Sequence, residues 1–206
     1  MPFDWLAAAQ RLRAIAQTGL TYTKDRFDLE RYEELTAMSH EMLAALLERT
    51  PASIAEAFAL DEGYPTPKID VRTAVFSEGR VLLVKEWLDG LWTLPGGWAD
   101  EHDAPRAAAE REVLEESGYV VQATRLISVR DRRLRGYRPP QVRSIYKLIF
   151  LGELQGGEAR ISSETTAVDF FPPDALPPLS LGRTLPEDVH EALAHLRDPG
   201  LPTIFD

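Results

Sequence analysis

The chain contains no cysteine. That excludes disulfides, a thiolate metal centre and a cysteine nucleophile, and it fits a reducing compartment. No run of about 18 apolar residues is present, so no segment reads as a membrane-spanning helix. The opening residues, MPFDWLAAAQRLR, lack the basic start and the small-residue cleavage site of a secretory signal, and the chain reads as cytoplasmic. Basic residues are scarce: 23 Lys and Arg face 33 Asp and Glu, a net charge of -10. Affinity for nucleic-acid polymers comes mainly from neutralised phosphates, so this balance argues against wrapping DNA or RNA. It leaves room for a small anion in a locally basic pocket, or for a bound cation that reverses the local sign. The histidines His40, His102, His190 and His195 show no metal-ligand spacing and receive no role.

Residues 1–64 read as a small helical domain. Trp5, Leu6, Ala9, Leu12, Ile15 and Ala16 recur at helical spacing behind Asp4, an N-cap residue, and Gly19 offers a stop. A second helix is predicted from Asp28 to about Glu48, and Thr50-Pro51 starts a short third one. These helices have too little material for a core of their own, so they pack on the rest of the chain, on a second copy, or on both. The segment Gly63-Tyr64-Pro65-Thr66-Pro67 reads as a linker. Beyond it the period changes from 3.6 to 2. Ile69, Val71, Thr73 and Val75 alternate with Asp70, Arg72, Ala74 and Phe76, and Val81–Val84 reads as a buried strand. Further strands are predicted over about 119–130, 142–152 and 166–171, with helices over 104–117 and 186–196. The expectation is therefore a second, α/β domain over 68–206.

Chemistry concentrates in Leu94-Pro95-Gly96-Gly97-Trp98 and in Arg111 to Gly118. On a helix, Glu112, Glu115 and Glu116 stand at i, i+3 and i+4 and share one face. Three carboxylates so close repel, and a hard divalent cation turns that repulsion into coordination. A solvated acidic face is the alternative reading. The glycine pair upstream permits close approach of backbone to a ligand and would place a carbonyl beside the acidic face.

Residues 97–119 resemble the Nudix box: Gly, five of any, Glu, seven of any, Arg-Glu, an aliphatic, any, Glu-Glu, any, Gly, an aliphatic. Gly97, Asp103, Arg111, Glu112, Val113, Glu115, Glu116, Gly118 and Tyr119 fall at those spacings. Asp103 departs from the pattern by one methylene, and Tyr119 replaces the final aliphatic. The resemblance implies a Nudix α/β/α sandwich with a mixed sheet, preceded by the small helical N-terminal domain. The whole chain also resembles a bacterial group of Nudix hydrolases that cleave nucleoside diphosphates linked to another moiety. Tyr22, Asp25, Phe27, Asp28, Glu30, Arg31 and Tyr32, then Val71 to Phe76, Phe170-Phe171 and Leu176 to Ser180 carry that likeness.

By that resemblance the chain is a pyrophosphohydrolase acting on a phosphoric anhydride bond, with CDP-choline first and ADP-ribose second among substrates. The products are a nucleoside monophosphate and a phosphorylated X group. Glu112, Glu115 and Glu116, with the carbonyl of Gly97, would bind Mg²⁺ or Mn²⁺, and Arg111 would orient the glutamates. Such ions polarise a phosphoryl oxygen and lower the pKa of water. Glu164 is the loop acid singled out as general base, its alternative being an exposed loop acid. Arg72, Arg130 and Trp98 are the substrate contacts. Arg130, Arg132, Arg133, Arg135, Arg138 and Arg143 either clamp phosphates or form a solvated hairpin paired to acids. Tyr137 stands where dinucleoside-polyphosphate enzymes carry a tyrosine, and with Trp92 it either stacks a base or belongs to the core. The rivals are trimming of RNA ends at the same site and a non-catalytic nucleotide-binding regulatory module. The partners expected are a small nucleotide and, through the N-terminal helices, a second copy in a homodimer.

Overall fold

The computed structural model describes residues 3–206. The chain folds as two compact units, one of residues up to Pro67 together with Pro140–Ser144, the other of Lys68–Pro139 and Ile145–Asp206.

The first unit holds α1 (Trp5–Tyr22), α2 (Arg26–Leu47) and α3 (Pro51–Phe58). Each starts on a side-chain cap: Asp4 accepts the Ala7 N–H, Asp25 those of Phe27 and Asp28, and Thr50 that of Ser53. Gly19 does not end α1, as the sequence suggested. It lies inside the helix, where a Cβ would fall 2.4 Å from the Tyr32 ring, so its smallness admits α2 rather than stopping α1. Ala9, Leu43, Ala44, Ile54 and Phe58 form a small core with Val142 from the returning segment. The Gln10 side chain donates to the Gln141 and Val142 carbonyls, and Arg143 pairs with Asp61 at 3.0 Å and donates to the Ala57 carbonyl. These contacts hold 140–144 in this unit, whereas the sequence reading left it in a strand of the second domain. Trp5, Ile15, Tyr22, Phe27, Met38 and Leu46 remain exposed.

The second unit is a mixed sheet between two helices. Its strands are β1 (Lys68–Ser77), β2 (Arg80–Glu86), β3 (Trp92–Thr93), β4 (Tyr119–Asp131), β5 (Ile145–Gly157), β6 (Thr165–Phe171) and β7 (Ile204–Phe205); its helices are α4 (Pro105–Ser117) and α5 (Pro186–Arg197). The sheet runs β3-β2-β1-β5-β4-β7, with β6 also on β2. The β1–β5 and β4–β7 pairs are parallel and the others antiparallel. Val71, Ala108, Ala109, Val113, Val121 and Phe150 pack beneath α4. Ala74, Leu83, Ile127, Ile149, Val189 and Ala192 pack beneath α5. Because both faces are covered, residues 70–75 of β1 are buried without interruption instead of alternating in and out.

After Glu78-Gly79 turn the chain, β2 pairs with β1 only at Phe76 and Ser77 before leaving it for β6, and the free edge of β1 is taken by the 95–99 segment. The Val71 N–H donates to the Gly97 carbonyl, Thr73 to Pro95, and Ala99 to Ile69. Gly96 sits at φ 146, and a Cβ there would lie 2.0 Å from the Val71 carbonyl oxygen. Only glycine lets this segment lie so close to β1. Among the described residues no helix is long and apolar enough to cross a membrane.

Candidate active site

Helix α4 carries the acidic face. Pro105 opens it without a side-chain cap, and Gly118 closes it in the left-handed region. Glu112 and Glu116 point inward and are buried, while the Glu115 side chain stays 58% exposed. Glu116 Oε2 accepts the Gly96 N–H at 2.8 Å, and Glu112 lies against Gly97, where a Cβ would meet its carboxylate at 2.8 Å. The α4 face and the glycine pair are thus in direct contact.

Arg111 gathers the neighbouring acids. Its guanidinium lies 3.0 Å from both Glu112 and Glu115, 2.9 Å from Asp103 and 3.4 Å from Asp100. The shortened acid of the motif, Asp103, is therefore an arginine partner. Beneath the cleft floor, Arg72 is buried with Nε on Asp70 Oδ1 at 2.9 Å and Nη1 on the Leu94 carbonyl at 3.2 Å. Burial pulls the Arg72 pKa down, but Asp70, Glu116 and Glu86 outweigh it and hold the group firmly protonated.

The electrostatics of the acids follow from the same burial. Desolvation pushes Glu116 up to about 7, against the opposing pull of Arg72 and the Gly96 N–H. Glu112 is raised for the same first reason, less the effect of Arg111 and Arg72. Across the cleft, Glu86 at the end of β2 is raised by burial despite its 3.0 Å pair with Arg183. Arg183 is shared with Asp89 at 3.1 Å.

These groups line one cavity of about 660 Å³, with Trp98, Arg160, Ser162, Ser163 and Glu164 completing its rim. The 162–165 loop is fixed by Thr165, whose hydroxyl donates to the Glu116 carbonyl at 2.9 Å, and by the Trp87 N–H on the Glu164 carbonyl at 3.0 Å. Arg160 is exposed on this rim, and among the described residues no acid pairs with its side chain. An open, charged cleft with buried acids and flanking guanidiniums suits a small anionic substrate bridged by cations.

Comparison with known proteins decides the family. Residues 66–193 match the NUDIX domain, and residues 3–58 match a domain described as UDP-X-like, N-terminal oligomerisation domain. The chain belongs to the Nudix hydrolase family. Within that family it is a pyrophosphohydrolase, acting on phosphoric anhydride bonds. It is 44% identical to the Bacillus subtilis protein named "Putative ADP-ribose pyrophosphatase YjhB", over 98% of this chain and 97% of that one. A crystal structure of a UDP-X diphosphatase matches 98% of each chain at 30% identity, with a TM-score of 0.63. An ADP-ribose pyrophosphatase from Streptococcus suis matches 68% of this chain and all of that one at 40% identity, also with a TM-score of 0.63.

In this Nudix hydrolase most of the sequence-predicted residues meet at the cleft. Arg72, Gly97, Trp98, Arg111, Glu112, Glu115, Glu116 and Glu164 all line it. Arg130 does not. It is buried on β4, away from the cleft lining, with Nη2 paired to Glu191 of α5. Arg72 is present as a buried charge in the floor, with its donors turned to Asp70 and the Leu94 carbonyl rather than held open. The Gly97 carbonyl faces β1, accepting the Val71 N–H at 2.8 Å.

The arginine cluster dissolves into separate pairs. Arg132 donates to the Pro139 carbonyl at 2.8 Å, Arg135 pairs with Asp206, and Arg143 pairs with Asp61. Tyr137 is a core residue whose hydroxyl donates to Asp188 at 2.8 Å, and Trp92 packs edge-on against Phe171. Glu86, Arg160 and Arg183 were missed, because each is a lone charge on a different element and no spacing links them.

Nudix hydrolases generally use divalent metal ions. Among the described residues no three acids already converge as a ready-made metal shell, since Glu115 and Glu112 are drawn to Arg111 and Glu116 to Gly96. The donor set nonetheless fits a hard cation. It is all oxygen, it sits on one rigid helix face, and burial leaves Glu112 and Glu116 short of compensating charge.

Proposed function

We propose that this Nudix hydrolase cleaves the diphosphate bridge of a nucleoside diphosphate linked to a second group, using Mg²⁺ or Mn²⁺. Water adds to one phosphorus and its bond to the bridging oxygen breaks, giving a nucleoside monophosphate and the phosphorylated second group. The observation that carries this reading is the single cleft in which Glu112, Glu115 and Glu116 face the cationic Arg72 and Arg160. The names of the two relatives matched over nearly the whole chain support ADP-ribose and UDP-linked compounds ahead of CDP-choline, reversing the order drawn from sequence.

Glu112, Glu115 and Glu116 hold the metal, and Arg111 sets the carboxylate directions through its pairs with Glu112 and Glu115. The bound ion supplies Lewis acidity and a lowered water pKa. Arg160, unpaired on the rim, meets a phosphate oxygen. Arg72 adds positive potential from below. Glu164 takes the proton of the attacking water, being an exposed carboxylate on the cleft rim. Trp98, 53% exposed beside the glycine pair, offers a ring face to the base or to the linked group.

The first unit assembles a homodimer. Its small core and its exposed Trp5, Ile15, Tyr22 and Phe27 support that reading, as does the oligomerisation domain matched over residues 3–58.

The test is a panel of ADP-ribose, UDP-sugars, CDP-choline, diadenosine polyphosphates and short RNA, incubated with Mg²⁺ or Mn²⁺ and resolved by anion exchange. Cleavage of one linked diphosphate to a monophosphate is expected. Binding without cleavage across the panel would replace the enzyme with a nucleotide-sensing module.

A further inference from the structure

Lys147 is a charge enclosed in the core of the second unit. It is 0% exposed near the start of β5, on the sheet face that continues with Ile149 and Leu151 into the α5 core. A buried ammonium costs several kcal/mol before pairing, and an apolar residue of similar volume usually serves a core as well or better. Among the described residues its carboxylate partner at ion-pair distance is Asp70, its register partner on β1, whose Oδ2 lies 2.9 Å from Nζ. The other oxygen of Asp70 accepts Arg72 Nε at 2.9 Å. One carboxylate therefore serves two cations, one of them in the floor of the cleft.

We propose that Lys147 is a positioning residue for the reaction: by sharing Asp70 with Arg72, it keeps one unit of positive charge beneath the diphosphate. This inference rests on the proposed function and concerns the same cleft. If Asp70 faced Arg72 alone, the pair would be neutral and the floor would offer an anion little attraction. With Lys147 behind it, Asp70 holds the Arg72 fork in place without cancelling its charge. Glu116 and Glu86, among the residues that line the cleft, also act on Arg72, and they are common to every variant compared below. Asp188 accepts the Tyr137 hydroxyl, the Tyr137 ring lies 5.0 Å from Lys147 Nζ, and the Arg132 guanidinium lies over the same ring at 5.7 Å. Asp188 acts on Lys147 and Arg132 on Asp70, and neither is altered in the variants below. The arrangement separates two tasks: Asp70 orients Arg72, and Lys147 preserves its charge.

The test uses K147M, D70N and the double variant D70N/K147M in the full chain, with KM and kcat measured on whichever linked diphosphate the wild type cleaves. The buried triad then carries a charge of zero, plus two and plus one respectively, against plus one in the wild type. K147M is expected to raise KM about tenfold with kcat changed far less, the mark of lost ground-state attraction. The double variant is expected to return KM to within about twofold of wild type, since the charge is restored and the amide of D70N keeps an oxygen for Arg72 Nε. A purely structural role for Lys147 predicts the opposite, a double variant as weak as K147M or weaker. Should K147M fail to fold, D70N and the double variant carry the comparison, with the lower KM expected for D70N. An unchanged KM in K147M, or no rescue in the double variant, overturns the inference while leaving the reaction intact. A wild type inert on every linked diphosphate overturns both.

Discussion

Glu116 Oε2 accepts the Gly96 N–H at 2.8 Å, so the acidic helix is tied to the glycine segment by a carboxylate whose charge burial disfavours. The fold holds a charge there at the expense of its own stability. Strongly shifted carboxylates cluster at functional sites, and in the proposed reaction this one serves as a ligand for a cation.

Removing that charge should separate stability from activity. The folded pKa of Glu116, about 7, lies above the ordinary value of 4.5, so the group's contribution to stability is full below 4.5 and is lost as pH rises through about 7. Glu116→Gln keeps an oxygen for the Gly96 N–H and carries no charge. At pH 8 the metal-free variant should be more stable than wild type by about 1–3 kcal/mol, a rise of several degrees in Tm, while activity falls by two orders of magnitude or more. At pH 4 the stability difference should vanish. Calorimetric melts at the two pH values check this.

Metal affinity should depend on the same proton. A cation binds the deprotonated carboxylate, so Mn²⁺ binding should release protons and tighten as pH rises from 6 to 8, levelling above about 7. Titration calorimetry in buffers of different ionisation enthalpy reads both effects.

Gly96→Ala should cripple the fold rather than the chemistry alone. The new Cβ would stand 2.0 Å from the Val71 oxygen at φ 146, and the 95–99 segment would have to leave the β1 edge. A loss of about 3 kcal/mol or more is expected from denaturant unfolding.

Arg130 and Trp98 should behave oppositely. Arg130→Gln breaks a buried pair with Glu191 and should lower stability by about 2 kcal/mol, leaving KM within about twofold of wild type. Trp98→Ala removes an exposed ring from the cleft and should raise KM with little change in Tm.

The first unit should account for self-association. Ile15→Asp with Phe27→Asp, both at exposed apolar positions, should turn a dimer at micromolar concentration into a monomer by light scattering. A monomeric wild type would contradict the homodimer.

What was legible in the sequence was what is local. Asp4, Thr50, Pro105 and Gly118 mark helix ends through contacts within a turn, and each stands at such an end. The i, i+3, i+4 spacing of Glu112, Glu115 and Glu116 needed only a helix to become a common face. The misreadings have tertiary causes. Gly19 is small because of Tyr32, thirteen residues away in sequence, and not because a helix ends there. Strands β3 and β7 have two residues each, too few for any period. For the arginine cluster the sequence left a phosphate clamp and pairing to acids both open, because the acids that decide it, Glu191, Asp206 and Asp61, lie far off in the chain. Glu86, Arg160 and Arg183 reach the cleft from three separate segments, and only the sheet brings them together.

The central claim is a divalent-metal-dependent hydrolysis of a linked nucleoside diphosphate that needs the α4 carboxylates. The most direct measurement is the turnover of the best panel substrate by wild type and Glu116→Gln across a Mn²⁺ titration. The account predicts wild-type turnover that rises with metal and stops with chelator, and a variant near background at every concentration. Equal turnover by the two proteins, or wild-type turnover indifferent to chelator, would contradict it.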